Sequence, residues 1–258
     1  MAEVVPNPLF RDQAVLQRSI PVPVWGTAAP GEAISVRYRE HEEQTRADAN
    51  GDWIVRLPAL SVGASSDLVI EGTNTLTFSD VVVGDVWIGS GQSNMWGPGY
   101  GKEDPALVRA VEKGPYPDIR LYVSPEDMRG ENAPRWGKAT AGNIGRFSAL
   151  LFSFGHTLHQ ELDVPVGLIL AAVNGSPSGA WISESAMAAD PKIQEQVRNY
   201  REGVYARMAS EHKRQREAYD AAVAAGKSGL KKPTPPRNPV KSASQRLPAN
   251  TTNRWSDQ

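Results

Sequence analysis

Short apolar and β-branched segments alternate with turn residues through the first 80 positions of the chain. They fall at residues 20–25, 33–38, 53–57, 67–70 and 74–78, with glycine, proline or asparagine between several of them. Segments of this length and spacing are typical of antiparallel strands joined by tight turns. The pattern therefore predicts an antiparallel β-sandwich over residues 1–80. We expect it to be an accessory domain, because acidic residues and histidines do not cluster there in the manner of a reactive site.

The pattern changes after residue 80. Residues 81–88, 119–123 and 166–173 are apolar almost throughout, and residues 147–162 carry apolar side chains at helical spacing. Continuous apolar strands that alternate with helices are typical of a parallel sheet covered on both faces. The sequence thus predicts an α/β protein in which the sandwich is followed, from residue 81 to residue 258, by a three-layer α/β/α domain with a parallel sheet.

The predicted sheet is incomplete. The strand at residues 166–173 is apolar on both faces and needs a neighbour on each side, yet only two other strands of this kind are present. The rest of the chain offers no replacement. Residues 187–226 are charged and helical in pattern and are interpreted as a helical insertion, and residues 227–258 form a proline-rich loop with too few apolar groups for a core.

Composition narrows the classes of partner. The net charge is −1 with both signs mixed along the chain, so neither nucleic acid nor a membrane surface is predicted as a partner. The chain has no cysteine, which excludes a thiolate nucleophile and cysteine-ligated metal. Histidine and carboxylate residues do not recur at ligand spacing on one predicted element. We therefore predict no metal and no cofactor.

The segment at residues 89–95, Gly-Ser-Gly-Gln-Ser-Asn-Met, directly follows the first predicted parallel strand. Ligands of doubly wound folds bind at the carboxyl ends of such strands, and the two glycines allow a tight turn that presents a hydroxyl next to backbone N–H groups. Ser93 is thus a candidate nucleophile. On these residues alone, the alternative is that Ser93 only caps the next helix.

A longer stretch around Ser93 carries a family resemblance. Residues 83–95, Val-Gly-Asp-Val-Trp-Ile-Gly-Ser-Gly-Gln-Ser-Asn-Met, closely resemble the nucleophile block of the sialate O-acetylesterase family, part of the SGNH or GDSL hydrolases. Three further segments, at residues 8–17, 145–149 and 164–169, resemble the same family. The resemblance covers most of the chain up to about residue 185.

The resemblance implies roles for five residues. Ser93 would be the nucleophile, with Gln92 and Asn94 beside it in the substrate-binding site. The loop that begins at Asn174 and Gly175 resembles the family's second glycine block, so the N–H groups of Ser93 and Gly175 would hold an oxyanion. Asn174 stands where the family usually has a glycine, which leaves open which residue donates.

Two alternatives concern this second loop. Residues 174–181, Asn-Gly-Ser-Pro-Ser-Gly-Ala-Trp, could be an ordinary turn. Trp181 at its end could face a sugar ring, although an aromatic residue in this position is more often part of a core.

The base that a serine hydroxyl needs is not evident in the chain. His41 lies in the predicted sandwich, His156 and His159 lie on the predicted helix, and His212 lies in the charged insertion. None follows a late strand in an Asp-x-x-His arrangement, as the resemblance would require. Asp85, inside the strand block, is predicted to make a structural hydrogen bond. We expect the catalytic Asp and His to come from a complementary C-terminal segment or chain.

The resemblance implies a serine esterase that removes O-acetyl groups from carbohydrates such as acetylated sialic acid or xylan. The resemblance implies that it is secreted or periplasmic. The alternative is a non-catalytic carbohydrate-binding or structural fragment of the same fold, which would need no base. A third interpretation is that the sequence is a fragment of a longer enzyme.

Overall fold

The computed structural model describes residues 3–97, 105–123, 135–176 and 181–236. Its contacts divide the chain into two units, Met1–Gly175 and Ser176–Gln258. Each unit is described by itself below.

The described residues of the first unit form eleven strands in two sheets. In chain order the strands are β1 (Val5–Pro6), β2 (Val15–Gln17), β3 (Pro21–Thr27), β4 (Ala33–Tyr38), β5 (His41–Arg46), β6 (Asp52–Ala59), β7 (Ser66–Glu71), β8 (Thr75–Gly91), β9 (Tyr116–Val123), β10 (Trp136–Ala139) and β11 (Val166–Ala172). The smaller sheet has the order β1-β3-β6. The larger sheet has the order β10-β9-β11-β8-β7-β4-β5, and β2 pairs with β8 beside this path.

The strands of the first 80 residues form a sandwich because their apolar residues alternate. In β4, Ile34, Val36 and Tyr38 are buried while the residues between them face outward. In β6, Trp53 and Leu57 are buried in the same way and join one core with the β4 residues. The pairings within this region, β1 with β3, β3 with β6, β5 with β4, β4 with β7 and β7 with β8, are antiparallel. The predicted fold class is thus confirmed for this part.

β8 passes without a break from the sandwich into the second region. We predicted two strands, at residues 74–78 and 81–88, but the structure has one strand of 17 residues, Thr75–Gly91. Its first half pairs with β7 and its second half with β11. Between them Asp80 has a φ of 57°, in the left-handed region. The domain limits 1–80 and 81–258 stay a prediction, and position 80 lies inside a strand.

The second half of β8 opens a parallel sheet. β11 lies between β8 and β9 and is parallel to both, as its two apolar faces predict. β10 adds an antiparallel edge next to β9. A second core, which includes Ile119, Phe152 and Leu168, fills the space between this sheet and the helices. The parallel arrangement expected after residue 80 is therefore confirmed.

Among its described residues, the first unit has the helices α1 (Ser93–Trp96), α2 (Pro105–Lys113), α3 (Ala141–Ile144) and α4 (Ala149–Leu162). The main helix, α4, begins at Ser148, whose hydroxyl accepts a hydrogen bond from the Leu151 N–H. It ends at Asp163, which adopts the left-handed conformation typical of a helix C-terminus. The helix predicted for residues 147–162 is thus confirmed to within two residues at its start.

Helices extend from Glu184 to Ala224 in the second unit, and its described residues 225–236 are irregular. α5 (Glu184–Ala189) and α6 (Pro191–Asn199) lead into a π-helical turn (Tyr200–Tyr205) and then α7 (Ala206–Ala224). These elements cover most of residues 187–226, and the assignment of this stretch as an insertion stays a prediction. Of the loop expected at residues 227–258, positions 237–258 lie outside the described residues. In the described parts of the chain, no helix is both long and apolar enough to cross a membrane.

Candidate active site

Ser93 lies at the carboxyl end of β8. The strand ends at Gly91, whose φ of 137° lies in a region that L side chains rarely adopt. Gln92 is the N-cap of α1 and Ser93 is its first residue. A glycine that turns the chain sharply after a strand places the next side chain at the edge of the sheet. Ser93 therefore stands at the edge where ligands of parallel sheets bind.

The hydroxyl of Ser93 donates a hydrogen bond to Oε1 of Gln92, at 2.8 Å. The alternative that Ser93 only caps the following helix is wrong, because Gln92 occupies the N-cap position and makes no side-chain cap bond there. The backbone carbonyl of Gln92 instead accepts from the N–H groups of Met95 and Trp96, both at 3.0 Å. The serine hydroxyl is thus not used to hold the helix.

The turn that carries Ser93 rests on the start of α4. A Cβ added at Gly89 would lie 2.6 Å from Cδ2 of Leu151 and 3.0 Å from Sδ of Met95. Ser148, which is fully buried, lies with its hydroxyl 3.9 Å from the same sulfur atom. Within residues 145–149, Ser148 therefore contacts the turn that carries Ser93. Sequence analysis missed Met95, Leu151 and Ser148 as supporting residues.

The structure brings the two predicted loops to one edge of the sheet. β8 and β11 are parallel neighbours whose last paired residues are Gly91 and Ala172. The N–H of Val173 still donates to the carbonyl of Gly91, at 2.9 Å. Asn174 and Gly175 follow at once, so their turn leaves the sheet beside the turn that carries Ser93.

The second turn has the backbone that its glycine allows. Gly175 has a φ of 72°, and both Asn174 and Gly175 are exposed. Successive backbone N–H groups in a turn of this kind can point to one place and bind an anionic oxygen there. The assignment of the donor to Gly175, and the binding roles of Gln92, Asn94 and Asn174, stay predictions. Residues 177–180 of this loop lie outside the described residues.

Trp181 belongs to the second unit and is partly buried. Its indole Nε1 donates to the hydroxyl of Ser176, at 3.0 Å. This bond holds the indole ring of Trp181 near Ser176 of the same loop.

Asp85 makes the structural contacts predicted for it. Its carboxylate receives two hydrogen bonds from the Arg18 guanidinium, from Nε at 2.8 Å and from Nη2 at 2.9 Å. Gln17 adds a longer bond to the same carboxylate and accepts from the N–H of Val86 at 2.8 Å. Asp85 thus ties the first resembling segment, residues 8–17, to β8.

The four histidines have other neighbours than Ser93. His41 lies 3.3 Å from Glu40, His159 Nδ1 lies 2.8 Å from the carbonyl of Val164, and His212 lies 3.4 Å from the carbonyl of Pro233. His156 packs edge-on against Tyr116. Burial, with the nearby positive charges of His159 and Lys113, lowers the pKa of His156. No histidine in the described chain is bonded to the Ser93 hydroxyl, whose partner is Gln92.

Side chains that could bind a metal ion do not cluster in the described part of the chain. Within residues 3–97, 105–123, 135–176 and 181–236, no group of three histidine or carboxylate side chains is placed to hold a metal ion.

The chain is similar to known proteins that are named as sialate O-acetylesterases. Sialate O-acetylesterase of Homo sapiens is 31% identical over 190 residues, which cover 64% of this chain and 36% of that protein. The sialate O-acetylesterase of Rattus norvegicus is 28% identical over 189 residues, with coverages of 64% and 35%. No family model matches the chain.

A solved structure shares the fold. A carbohydrate acetylesterase from Xanthomonas citri superposes with a TM-score of 0.63 at 33% identity, over 71% of this chain and 44% of that one. The chain spans just over a third of the curated relatives that it matches and less than half of this solved structure. The resemblance found in residues 83–95 is thus confirmed: over about two thirds of its length the chain is a homologue of the sialate O-acetylesterases.

Proposed function

We propose that the protein is a serine esterase that removes O-acetyl groups from carbohydrates, with Ser93 as its nucleophile. The observation that carries the proposal is the placement of Ser93 and Gly175 on adjacent turns at the carboxyl ends of two parallel strands. The similarity to proteins named sialate O-acetylesterase and carbohydrate acetylesterase supports the same chemistry.

The reaction would proceed in two steps. Ser93 Oγ attacks the acetyl carbonyl carbon while a base takes the hydroxyl proton, and the carbonyl oxygen becomes an oxyanion held by N–H groups of Ser93 and Gly175. Each such donor contributes about 3 kcal/mol in acyl-transfer enzymes. The C–O bond to the sugar then breaks and the sugar oxygen receives the proton. Water attacks the acetyl-serine in the second step and releases acetate.

The base is proposed to come from a polypeptide segment outside these 258 residues, as part of an Asp and His pair. In the structure the Ser93 hydroxyl donates to Oε1 of Gln92. An amide oxygen is a hydrogen-bond acceptor without basic character at neutral pH, so it orients the hydroxyl but does not take its proton. A histidine that arrives beside Ser93 would replace Gln92 as the acceptor.

The same hydrogen bond favours the second candidate function, a carbohydrate-binding or structural module without turnover. Such a module would leave the Ser93 hydroxyl bonded to Gln92 permanently. The two candidates differ in whether adding the missing segment produces acetate.

The test is acetate release from O-acetylated sialic acid and from acetylated xylan. The chain is assayed alone and coexpressed with the part of the Xanthomonas citri enzyme that it does not match. We expect release from the coexpressed sample, loss of release with Ser93→Ala, and full release with the control Ser65→Ala, whose serine is exposed in a sandwich loop. Release that survives Ser93→Ala would refute the role of Ser93. No release from any sample would favour the binding module.

The two substrates in this test also decide the sugar, since the family resemblance applies equally to both. The proposal places the enzyme outside the cytoplasm, in keeping with the secreted or periplasmic location that the resemblance implies. Fractionation of the natural host, followed by detection of the chain, would decide the location.

A further inference from the structure

The dipeptide Asn-Gly occurs twice in the chain, at positions 50–51 and 174–175. Both pairs lie in loops at the ends of strands, and both glycines have a left-handed backbone, with a φ of 82° at Gly51 and 72° at Gly175. Asparagine is a chemically labile residue, and a glycine after it leaves the backbone nitrogen open to approach because glycine has no Cβ. The two pairs therefore offer the same chemistry in two environments.

The pair in the sandwich is held by hydrogen bonds. Gly51 is buried, its N–H donates to the carbonyl of Asp48 at 3.0 Å, and its carbonyl accepts from the N–H of Ala28 at 2.8 Å. The N–H of Asn50 donates to Oδ1 of Asp48, at 2.8 Å. A Cβ at Gly51 would lie 2.5 Å from the carbonyl oxygen of Ala28, which shows how closely this backbone is packed. The nitrogen of Gly51 is therefore kept from the side chain of Asn50.

The pair beside the Ser93 turn lies in a more open environment. The N–H of Val173 still bonds to the carbonyl of Gly91 at the end of β11, and the chain then leaves the sheet. Asn174 and Gly175 are both exposed, whereas Gly51 is buried. Residues of an exposed turn can rotate more easily than residues held inside a packed domain. The nitrogen of Gly175 can therefore reach the side-chain amide of Asn174.

We propose that Asn174 is a site of spontaneous deamidation, in which Gly175 supplies the attacking nitrogen. This nitrogen loses its proton and forms a bond to Cγ of Asn174, and the Cγ–Nδ2 bond breaks to release ammonia. The resulting five-membered imide then takes up water. Opening at Cγ gives aspartate, and opening at the backbone carbonyl carbon gives isoaspartate, in which the chain runs through the side chain. Water is the co-reactant, and the product is a covalent modification that adds a negative charge.

The consequence for the site rests on the proposed function, and it is a loss of activity with age. Both products place a carboxylate next to Gly175, the proposed donor to the oxyanion. A negative charge at this position opposes the negative charge that develops on the acetyl oxygen. Isoaspartate also adds a methylene group to the backbone, which displaces the N–H of Gly175. The reaction thus limits the working life of the esterase at its own oxyanion loop.

The first test follows the modification and needs no activity. The isolated chain is incubated for days in weakly acidic and in weakly alkaline buffer, and the peptides that contain positions 50 and 174 are analysed by mass spectrometry. The isoaspartate fraction is measured with an isoaspartyl methyltransferase. We expect both products at position 174 and the intact amide at position 50. The products should form faster in alkaline buffer, because the attacking nitrogen must lose its proton.

A control in urea separates the effect of the fold from that of the dipeptide. In the unfolded chain both pairs should react at similar rates, since the contacts of Gly51 are lost. Asn174→Gly removes the side-chain amide and should abolish the products at that position alone. An intact amide at position 174 in the folded chain, or equal reaction at positions 50 and 174, would overturn the proposal. Protection of position 50 that persists in urea would overturn the structural reason given for it.

The loss of activity is tested by introducing the charge directly. Asn174→Asp has the aspartate product from the start, and Asn50→Asp adds the same charge at an exposed position of the sandwich. Both variants are assayed in the coexpressed sample that tests the proposed function. We expect acetate release to fall about tenfold for Asn174→Asp, through repulsion of the oxyanion, and to stay unchanged for Asn50→Asp. Equal release from the two variants would overturn the effect on the site.

The modification and the proposed function fail separately. Deamidation at position 174 with no acetate release from any sample would retain the modification site and reject the esterase. Acetate release by the wild type, with an intact amide at position 174 after incubation, would retain the esterase and reject the modification site.

Discussion

The guanidinium of Arg120 lies buried against the carboxylate of Asp80, with Nη2 donating to Oδ1 at 3.2 Å. Arg120 belongs to β9, and Asp80 occupies the left-handed position inside β8. The same guanidinium also donates to the carbonyls of Gln13, Asp80 and Pro117. Lys138 contacts the other carboxylate oxygen at 2.8 Å. This pair therefore fastens the parallel sheet to the sandwich at the point where β8 passes between them.

Replacement of Arg120 should lower the free energy of unfolding. Arg120→Met would leave the Asp80 carboxylate with Lys138 alone and several carbonyls without a donor. We expect the free energy of unfolding to fall by about 3 kcal/mol, as for the loss of one partner from a buried ion pair. Urea denaturation would measure it, with Arg37→Met on the exposed side of β4 as the control. Equal losses for the two variants would show that the Arg120 contacts are unimportant.

The decrease of the unfolding free energy at low pH should depend on Asp80. Partial burial acts to raise the pKa of Asp80, but hydrogen bonds and charge from Lys138 and Arg120 outweigh it and hold the pKa below its ordinary value. A carboxyl group with a lowered pKa in the folded state contributes stability above its unfolded pKa, about 3.9, and that contribution is lost as the pH falls through the folded value.

We therefore expect the unfolding free energy of the wild type to fall more steeply than that of Asp80→Asn between about pH 5 and pH 3. Denaturation at a series of pH values would check this. Parallel profiles for the two proteins would contradict the role given to the carboxylate.

Gly84 should not tolerate a side chain. A Cβ at this position would overlap the carbonyl oxygen of Pro165, next to the hydrogen bond from Asp85 N–H to that oxygen. We expect Gly84→Ala to lower the free energy of unfolding by about 3 kcal/mol, as for overpacking against rigid backbone. Gly142→Ala is the matched control, because its new Cβ would meet only Thr140 Oγ1, at 3.9 Å. Thermal denaturation of both variants measures the difference, and similar midpoints would be inconsistent with this packing.

Ser148 should stabilise the first unit through the cap of α4. Ser148→Ala removes the cap of α4, which should cost about 1 kcal/mol of unfolding free energy. It also removes the hydroxyl that contacts Met95. Ser183→Ala, at the cap of α5, is the control. If the first unit unfolds at the same urea concentration in both variants and the wild type, the cap is not a source of its stability.

Sequence patterns predicted the strands and helices in which buried residues follow a regular pattern. β4 was predicted at its observed residues, and β11 and α4 were predicted within two residues, because one or both of their faces lie in a core. β5 was missed because it has no such pattern. Its six residues, His-Glu-Glu-Gln-Thr-Arg, are polar and mostly exposed, and it is held only as the last strand of the sheet, by pairing with β4.

The candidate site also has features that the sequence predicts and features that it does not. The meeting of the Ser93 and Gly175 turns could be predicted, because carboxyl ends of neighbouring parallel strands share an edge. The bond from Ser93 to Gln92 and the contact between Met95 and Ser148 depend on rotamers and on packing between segments over 50 residues apart. Periodicity contains no information on such contacts. The buried Arg120, between the apolar residues Ile119 and Leu121, was missed for the same reason.

The continuity of β8 has a consequence for how this protein can be rearranged. A recombination point or a protease cut near residue 80 would fall inside a strand that is hydrogen-bonded to the sandwich on one side of the cut and to the parallel sheet on the other. The sandwich therefore cannot be exchanged for another module as an independent domain. Any replacement must bring its own first half of the strand, in the register that delivers Ser93 to the edge of the sheet.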